Sequence, residues 1–93
     1  MISGRLLAVG GPPPGAPRPL PGTVKLENIA THTATVVRVG TDGRYSASVT
    51  AGTYEIHGRS PLYGDGRYDC AAPKPLAVAT NKRAGADVYC EEV

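Results

Sequence analysis

The sequence predicts an all-β domain, a sandwich of about seven short strands. Short segments in which apolar and polar residues alternate are separated by turn residues at regular intervals. No stretch keeps the 3.6-residue apolar period of an amphipathic helix over three turns. A small closed barrel of the OB type is the competing architecture.

The first three predicted strands cover residues 2–9, 22–29 and 33–39. In the second strand Val24 and Leu26 share one face and Lys25 lies on the other, which is typical of a half-buried strand. The third is almost entirely β-branched and therefore favours a pleated sheet over a helix.

The clearest turn is Asp42-Gly43, because both residue types tolerate the positive φ of a tight hairpin turn. It leads into predicted strands at 45–49 and 53–58, which are separated by a second turn at Ala51-Gly52. Two more strands are predicted at 76–80 and 86–91, joined by a polar turn at 81–85.

Two segments lack any strand pattern. Residues 10–21 are half proline and should form an extended, polyproline-like loop, since proline cannot donate to a sheet. A PxxP ligand is the alternative for this stretch, with Pro14 and Pro17 at the required spacing. Residues 59–75 are rich in glycine and proline and are expected to form a long surface loop.

Length and composition exclude several classes of protein. The 93 residues suffice for one domain, 1–93, and 10 basic against 8 acidic residues do not suggest a nucleic-acid partner. No apolar run is long enough for membrane insertion, and residues 1–5 lack the features of a signal peptide. The chain is therefore expected to be either intracellular or a mature segment with an added Met.

The two cysteines, Cys70 and Cys90, are too far apart for a CxxC motif. An even count in a small, turn-rich chain predicts one disulfide and an oxidising compartment. Closing a loop of this size stabilises a fold by about 3 kcal/mol. Two buried free thiols in a cytosolic protein are the alternative.

The order of the motifs resembles the carboxypeptidase regulatory-like domains, which belong to the transthyretin-like, or prealbumin-like, sandwiches. The matching residues are Ser3-Gly4-Arg5-Leu6, Pro21-Gly22-Thr23-Val24-Lys25-Leu26, Thr41-Asp42-Gly43-Arg44-Tyr45-Ser46 and Ala51-Gly52-Thr53-Tyr54-Glu55-Ile56. The turn at Asp42-Gly43 is shorter than the usual family motif. The resemblance implies a seven-stranded antiparallel Greek-key β-sandwich without catalysis.

The candidate binding site is the stretch 59–69, whose tyrosine and arginine residues are types enriched at interfaces. The candidate residues are Arg59, Tyr63, Asp65, Arg67 and Tyr68. The alternative is an ordinary loop whose tyrosines pack back on the sheet edge.

Catalytic and metal chemistry find little support in the sequence. None of the serines lies in a Gly-x-Ser-x-Gly elbow, and no carboxylate pair indicates acid–base catalysis. His32 and His57 could join Cys70 and Cys90 around zinc, but their spacing matches no zinc motif. We therefore expect no enzyme activity, no metal and no cofactor.

The sequence thus favours a non-catalytic, secreted or cell-surface module that binds an unidentified protein partner. The alternative is a carbohydrate-binding module that uses the tyrosines of 59–69 on a glycan. We expect the chain to be monomeric or part of a larger chain.

Overall fold

The computed structural model describes residues 1–10, 17–63, 66, 69–80 and 82–92, apart from the side chains of residues 91 and 92. Within these residues the chain forms ten β-strands and no α-helix. The strands are β1 (Ile2–Gly10), β2 (Arg18–Pro19), β3 (Gly22–Asn28), β4 (Ala34–Val39), β5 (Arg44–Ala47), β6 (Gly52–Arg59), β7 (Cys70–Ala71), β8 (Leu76–Val78), β9 (Ala84–Gly85) and β10 (Val88–Glu92). The all-β prediction is therefore confirmed. No helical segment that could span a lipid bilayer occurs in the described part of the chain.

The first strand, β1, belongs to two groups of strands. Its first half pairs with β5 and β9, so that Ile2 lies between Ala47 and Ala84. Its second half pairs with β2 and β10. Leu6 and Leu7 are both buried although neighbours on a strand point to opposite faces. β1 is therefore covered on both faces where it passes from one group to the other.

Beyond β1 the sheet continues through β10, β7, β6 and β3 and ends at β4. β6 has β3 along one side, and on its other side β8 lies beside its first residues and β7 beside its last. All of these pairs from β10 onward are antiparallel. The result is a curled, mixed sheet wrapped around one core.

The core consists of apolar side chains that alternate with polar ones along the strands. The alternation predicted for the strands at 22–29, 45–49 and 53–58 is confirmed by burial. The buried residues of β3, β5 and β6 include Val24, Leu26, Tyr45, Ala47, Tyr54 and Ile56, and they form one cluster with Ile2, Leu6 and Val88. Burying large apolar side chains contributes about 1.5–3 kcal/mol each, so this cluster is the main source of stability.

The prediction of a strictly antiparallel sheet is wrong. β1 pairs in parallel with β9 and β10, and Leu6 lies opposite Val88 in the second of these pairs. Residue alternation indicates which face of a strand is buried, but it contains no information about which strand lies alongside or in which direction it runs.

Three short strands lie in segments predicted to be loops or turns. β2 falls within 10–21, β7 within 59–75 and β9 within 81–85. Each has two residues, too few to show an alternating pattern. β2 lies at the end of the sheet, as expected where proline cannot donate. The polyproline and PxxP hypotheses depend on residues 11–16, which lie outside the described residues.

Candidate functional site

The structure places two of the five predicted binding residues. Arg59 ends β6, and its Nε donates a hydrogen bond to Oδ1 of Asp69 at 2.8 Å. This hydrogen bond and the guanidinium charge hold the pKa of the Asp69 carboxyl below its usual range. Tyr63 is half-buried and packs against the core.

The other three predicted residues, Asp65, Arg67 and Tyr68, lie outside the described residues. The start of the loop is anchored at Ser60. Ser60 is fully buried and its Oγ accepts from the Leu62 N–H at 3.2 Å. The structure therefore brings Arg59 together with Asp69. It does not expose the Tyr63 ring beside Arg59 as an aromatic platform.

Cys70 and Cys90 form a disulfide that joins β7 to β10, with their Cα atoms 4.5 Å apart. Both side chains are fully buried. The predicted pairing is thus present in the structure. Each of the two histidines contacts a glutamate: His57 Nε2 lies 3.8 Å from Glu55 Oε2, and His32 Nδ1 lies 3.5 Å from Glu27 Oε2.

The structure shows a polar surface that the sequence analysis did not single out. We call it the outer face: the side of β4, β3 and β6 that points away from the core. The strand register arranges nine residues in three rows across it, namely Arg38–Thr23–Arg59, Val36–Lys25–His57 and Ala34–Glu27–Glu55. A shallow groove of about 340 Å³ lies over the first two rows and reaches Asp69.

Charge on the outer face changes along the strands. The row of Arg38 and Arg59 is basic, whereas Glu27 and Glu55 lie directly opposite each other at the far end. Like charges in that position are destabilising. The Glu27 carboxylate is offset by Lys25, whose Nζ lies 3.7 Å from Glu27 Oε1, and Glu55 contacts the His57 ring. Such exposed pairs contribute little to stability.

The edge of this surface is β4, which has β3 as its one hydrogen-bonded strand neighbour among the described residues. Asn28 N, in β3, donates to Thr33 O at 2.9 Å, so the Thr33 carbonyl points toward β3. This contact fixes which of the following main-chain groups also point toward β3. Since these groups alternate between the two sides of an antiparallel strand, Thr35 and Val37 face β3. The N–H and C=O groups of the intervening residues therefore face the free edge, and these residues are Ala34, Val36 and Arg38.

Val36 is the most exposed large apolar side chain of any strand whose burial is described, at 63%. It lies on the outer face in the middle of the free edge. The sequence signal for it was weak, because residues 33–39 read as a uniform β-branched strand. Only the order of the strands in the sheet shows that 33–39 is an edge.

The described surface offers binding chemistry and little that resembles catalytic chemistry. No hydrogen bond in the described part of the chain joins a serine or threonine hydroxyl to a histidine or a carboxylate. Groups of three or more side chains able to hold a metal ion are likewise absent from the described residues. Exposed main-chain donors and acceptors beside an apolar side chain are suited to pairing with another extended chain.

Comparison with known proteins adds no information about the function of this surface. A scan against protein-family models, a search of curated proteins and a search of solved structures each found no match.

Proposed function

We propose that this chain is a non-catalytic protein-binding module, secreted or on the cell surface, that binds an extended segment of a partner along the free edge of β4. The observation that supports this proposal most directly is the row of N–H and C=O groups at Ala34, Val36 and Arg38, which no described residue pairs, with the exposed Val36 side chain beside it. Main-chain hydrogen bonds would supply affinity, and side-chain contacts on the outer face would supply specificity.

The composition of β4 also supports strand addition. Soluble proteins commonly protect an edge with proline, a lysine, a bulge or a very short strand. β4 has six residues, contains neither proline nor lysine, and pairs with β3 in unbroken register. Arg38 is its one charged residue. This edge therefore has little of the protection that blocks pairing.

The proposed compartment rests on the disulfide. Disulfides persist in secreted and cell-surface proteins and are rare in the cytosol, where thiols are kept reduced. The buried Cys70–Cys90 pair is compatible with such a location. We also propose that the fold is a Greek-key, prealbumin-like sandwich. Supporting this, β1 is shared between two groups of strands that enclose one core.

The carbohydrate-binding alternative gains no support from Tyr63, because this residue packs against the core and does not form an open platform. Sugars stack on exposed aromatic rings. Because Tyr63 packs against the core, the edge of β4 is the better-supported binding site. Strand addition at β4 is therefore the better-supported function.

A titration followed by amide NMR tests the proposal. The probe is a capped peptide that copies residues 33–39 (Thr-Ala-Thr-Val-Val-Arg-Val). We expect the peptide to shift and protect the amides of Ala34, Val36 and Arg38, which face the free edge. The amides of Thr35 and Val37, which face β3, should change less. A scrambled peptide is the control.

The variant Val36→Pro should abolish this binding while the domain stays folded. Proline is tolerated at an edge where the N–H that it removes points to solvent. Absence of amide shifts at about 1 mM peptide, the weak limit of measurable affinity, in a chain that is monomeric in the same sample would contradict the proposal.

A further inference from the structure

We propose that the strand added at this edge is β4 of a second copy, so that the chain forms a two-fold symmetric dimer with one continuous sheet. The inference rests on the proposed strand-binding function of β4 and names its partner. It departs from the sequence-based expectation of a monomer. Two features of β4 support it, the direction of its backbone groups and the side chains on the outer face.

The N–H and C=O groups of β4 point alternately toward β3 and toward the free edge, and this alternation selects one register for the pair of β4 strands. In a two-fold antiparallel pair, if residue i lies opposite residue j, then j lies opposite i. Centring the pair on Val36 places Val36 opposite the partner's Val36, and Ala34 opposite the partner's Arg38. All three residues that face the free edge then form hydrogen-bonded pairs.

Neighbouring registers are less favourable. Centring the pair on Thr35 would pair Ala34 with the partner's Val36 and leave Arg38 outside the ladder. Centring it on Arg38 would place two arginines directly opposite each other, which is destabilising. The register centred on Val36 is the one that uses the whole free edge without this repulsion.

On the outer face this register buries the exposed apolar residue. The Val36 side chain, 63% exposed in the single chain, meets the partner's Val36 across the new strand pair. Directly opposite residues in a sheet have Cβ atoms about 5 Å apart, close enough for the two side chains to pack. The exposed valine thus gains the contact that a single chain does not provide.

The same register creates two matched charge pairs. Arg38 comes to lie beside the partner's Ala34, whose methyl side chain leaves the space above it open. In each chain Glu27 on β3 lies directly opposite Ala34 on β4. Adjacent strands are about 4.8 Å apart. The long Arg38 side chain can therefore extend over the partner's Ala34 and reach the partner's Glu27.

The charges that would meet are available in the single chain. No described residue forms an ion pair with Arg38. The Glu27 side chain keeps 31% of its surface exposed despite its contacts with Lys25 and His32. Two-fold symmetry makes the Arg38–Glu27 pair twice. Exposed pairs add little affinity, but they set register and suppress wrong pairings.

Sedimentation equilibrium of the intact chain tests the dimer. We expect a concentration-dependent mass that approaches twice 9.6 kDa. Val36→Pro should weaken association by tenfold or more, since it removes the central hydrogen bonds and the valine contact. Arg83→Glu is the matched control for charge, because Arg83 is exposed and lies before β9, and it should leave association unchanged.

A charge-swap experiment tests the register without a backbone change. Arg38→Glu brings a second carboxylate against the partner's Glu27, and Glu27→Arg brings a second guanidinium against the partner's Arg38. Each variant alone should therefore associate less than the wild-type chain. An equimolar mixture of the two variants restores opposite charges at both symmetry-related contacts and should form a mixed dimer. Circular dichroism melting of each variant verifies that it is folded.

The outcomes separate this inference from the proposed function. A chain that stays monomeric at about 1 mM, but whose β4 amides respond to the 33–39 peptide, would overturn the dimer and leave strand binding standing. The peptide contains no Glu27, so it tests the edge without the charge pairs. A dimer that is unaffected by Val36→Pro and by both charge variants would place the contact elsewhere and overturn the inference.

Discussion

Tyr45 packs in the core with its ring and forms a hydrogen bond with its hydroxyl. Its ring belongs to the core cluster, and its hydroxyl donates a hydrogen bond to the carbonyl of Ala86 at 2.5 Å. Ala86 N in turn donates to Ser3 O at 3.0 Å. The alternation along 45–49 predicted that the ring is buried, but nothing in the sequence predicted the carbonyl that the hydroxyl would meet.

Replacing Tyr45 by phenylalanine should lower the free energy of unfolding by about 1–2 kcal/mol, because a hydrogen bond is lost and the Ala86 carbonyl loses a partner. Chemical denaturation at neutral pH measures the change. Tyr89→Phe is the control, since Tyr89 is half-buried and the described residues show no hydrogen bond to its hydroxyl. Equal losses in the two variants would refute the assigned role.

The ionisation of Tyr45 provides a second readout of the same contact. Burial, and secondarily the nearby Asp87 carboxylate, raise the pKa of Tyr45 from 10.0 to about 12. Between these values the unfolded chain releases the proton while the folded chain retains it. Stability should therefore fall as the pH rises from 10.0 to about 12. In Tyr45→Phe this decrease should be smaller, and an unchanged slope would contradict the assignment.

β6 lies close to buried side chains of β1 and β10 at a residue that has no side chain of its own. Gly58 lies in β6, and a Cβ built on it would stand 2.9 Å from Leu6 Cδ1 and 3.1 Å from Val88 Cγ1. Glycine at this position lets β6 lie close to the buried residues of β1 and β10. The sequence placed residue 58 at the end of a strand and contained no sign of this contact.

Gly58→Ala should therefore destabilise the fold by about 1–3 kcal/mol through overpacking. Gly85→Ala in β9 is the matched control, because the nearest atom to its added Cβ would be Ser3 O at an ordinary 3.6 Å. We expect the control to change stability by less than about 0.5 kcal/mol. Thermal melts of both variants distinguish the two sites, and similar losses would show that Gly58 is not a packing position.

The Asp42-Gly43 turn shows how far sequence reasoning reaches at the scale of an element. It was predicted to be a tight hairpin turn with a positive φ, and Gly43 has φ 74°. The positive φ is confirmed, because a tight turn depends on local backbone conformation. The hairpin is wrong, since the two strands that the turn joins, β4 and β5, pair with β3 and β1 and not with each other. The free edge of β4 could not be predicted in this way, since edge and central strands of the same length share one residue pattern.

At the scale of the whole molecule, the disulfide connects two segments that otherwise pair weakly. β7 and β10 share one residue pair, Tyr89 with Ala71, and the Cys70–Cys90 bond lies beside it. A 93-residue domain has a modest core, so this one bond is a large part of the total stability.

Replacing both cysteines by alanine should lower the free energy of unfolding by about 3 kcal/mol, the value expected for a closed loop of this size. Denaturant melts with and without reductant provide the measurement. Reductant should destabilise the wild-type chain and leave the double variant unchanged. Free alkylation of both thiols in the denatured, unreduced chain would contradict both the bond and the exported location.

The sequence by itself determined the features of this protein that depend on near neighbours along the chain. Alternation identified which faces of the strands at 22–29, 45–49 and 53–58 are buried, and turn residues marked where strands end. The cysteine count predicted the disulfide. In the candidate loop 59–69, composition pointed to Arg59 and Tyr63 but could not predict that Arg59 bonds Asp69 or that Tyr63 packs on the core.

Only the tertiary structure decided which strands lie side by side. The parallel pairing of β1 with β10, the close approach at Gly58 and the free edge of β4 all join residues that are distant in sequence. Residue patterns encode the burial of a face, whereas neighbour, direction and edge position result from packing the whole chain around one core. The surface on which both proposals rest is therefore a property of the assembled sheet.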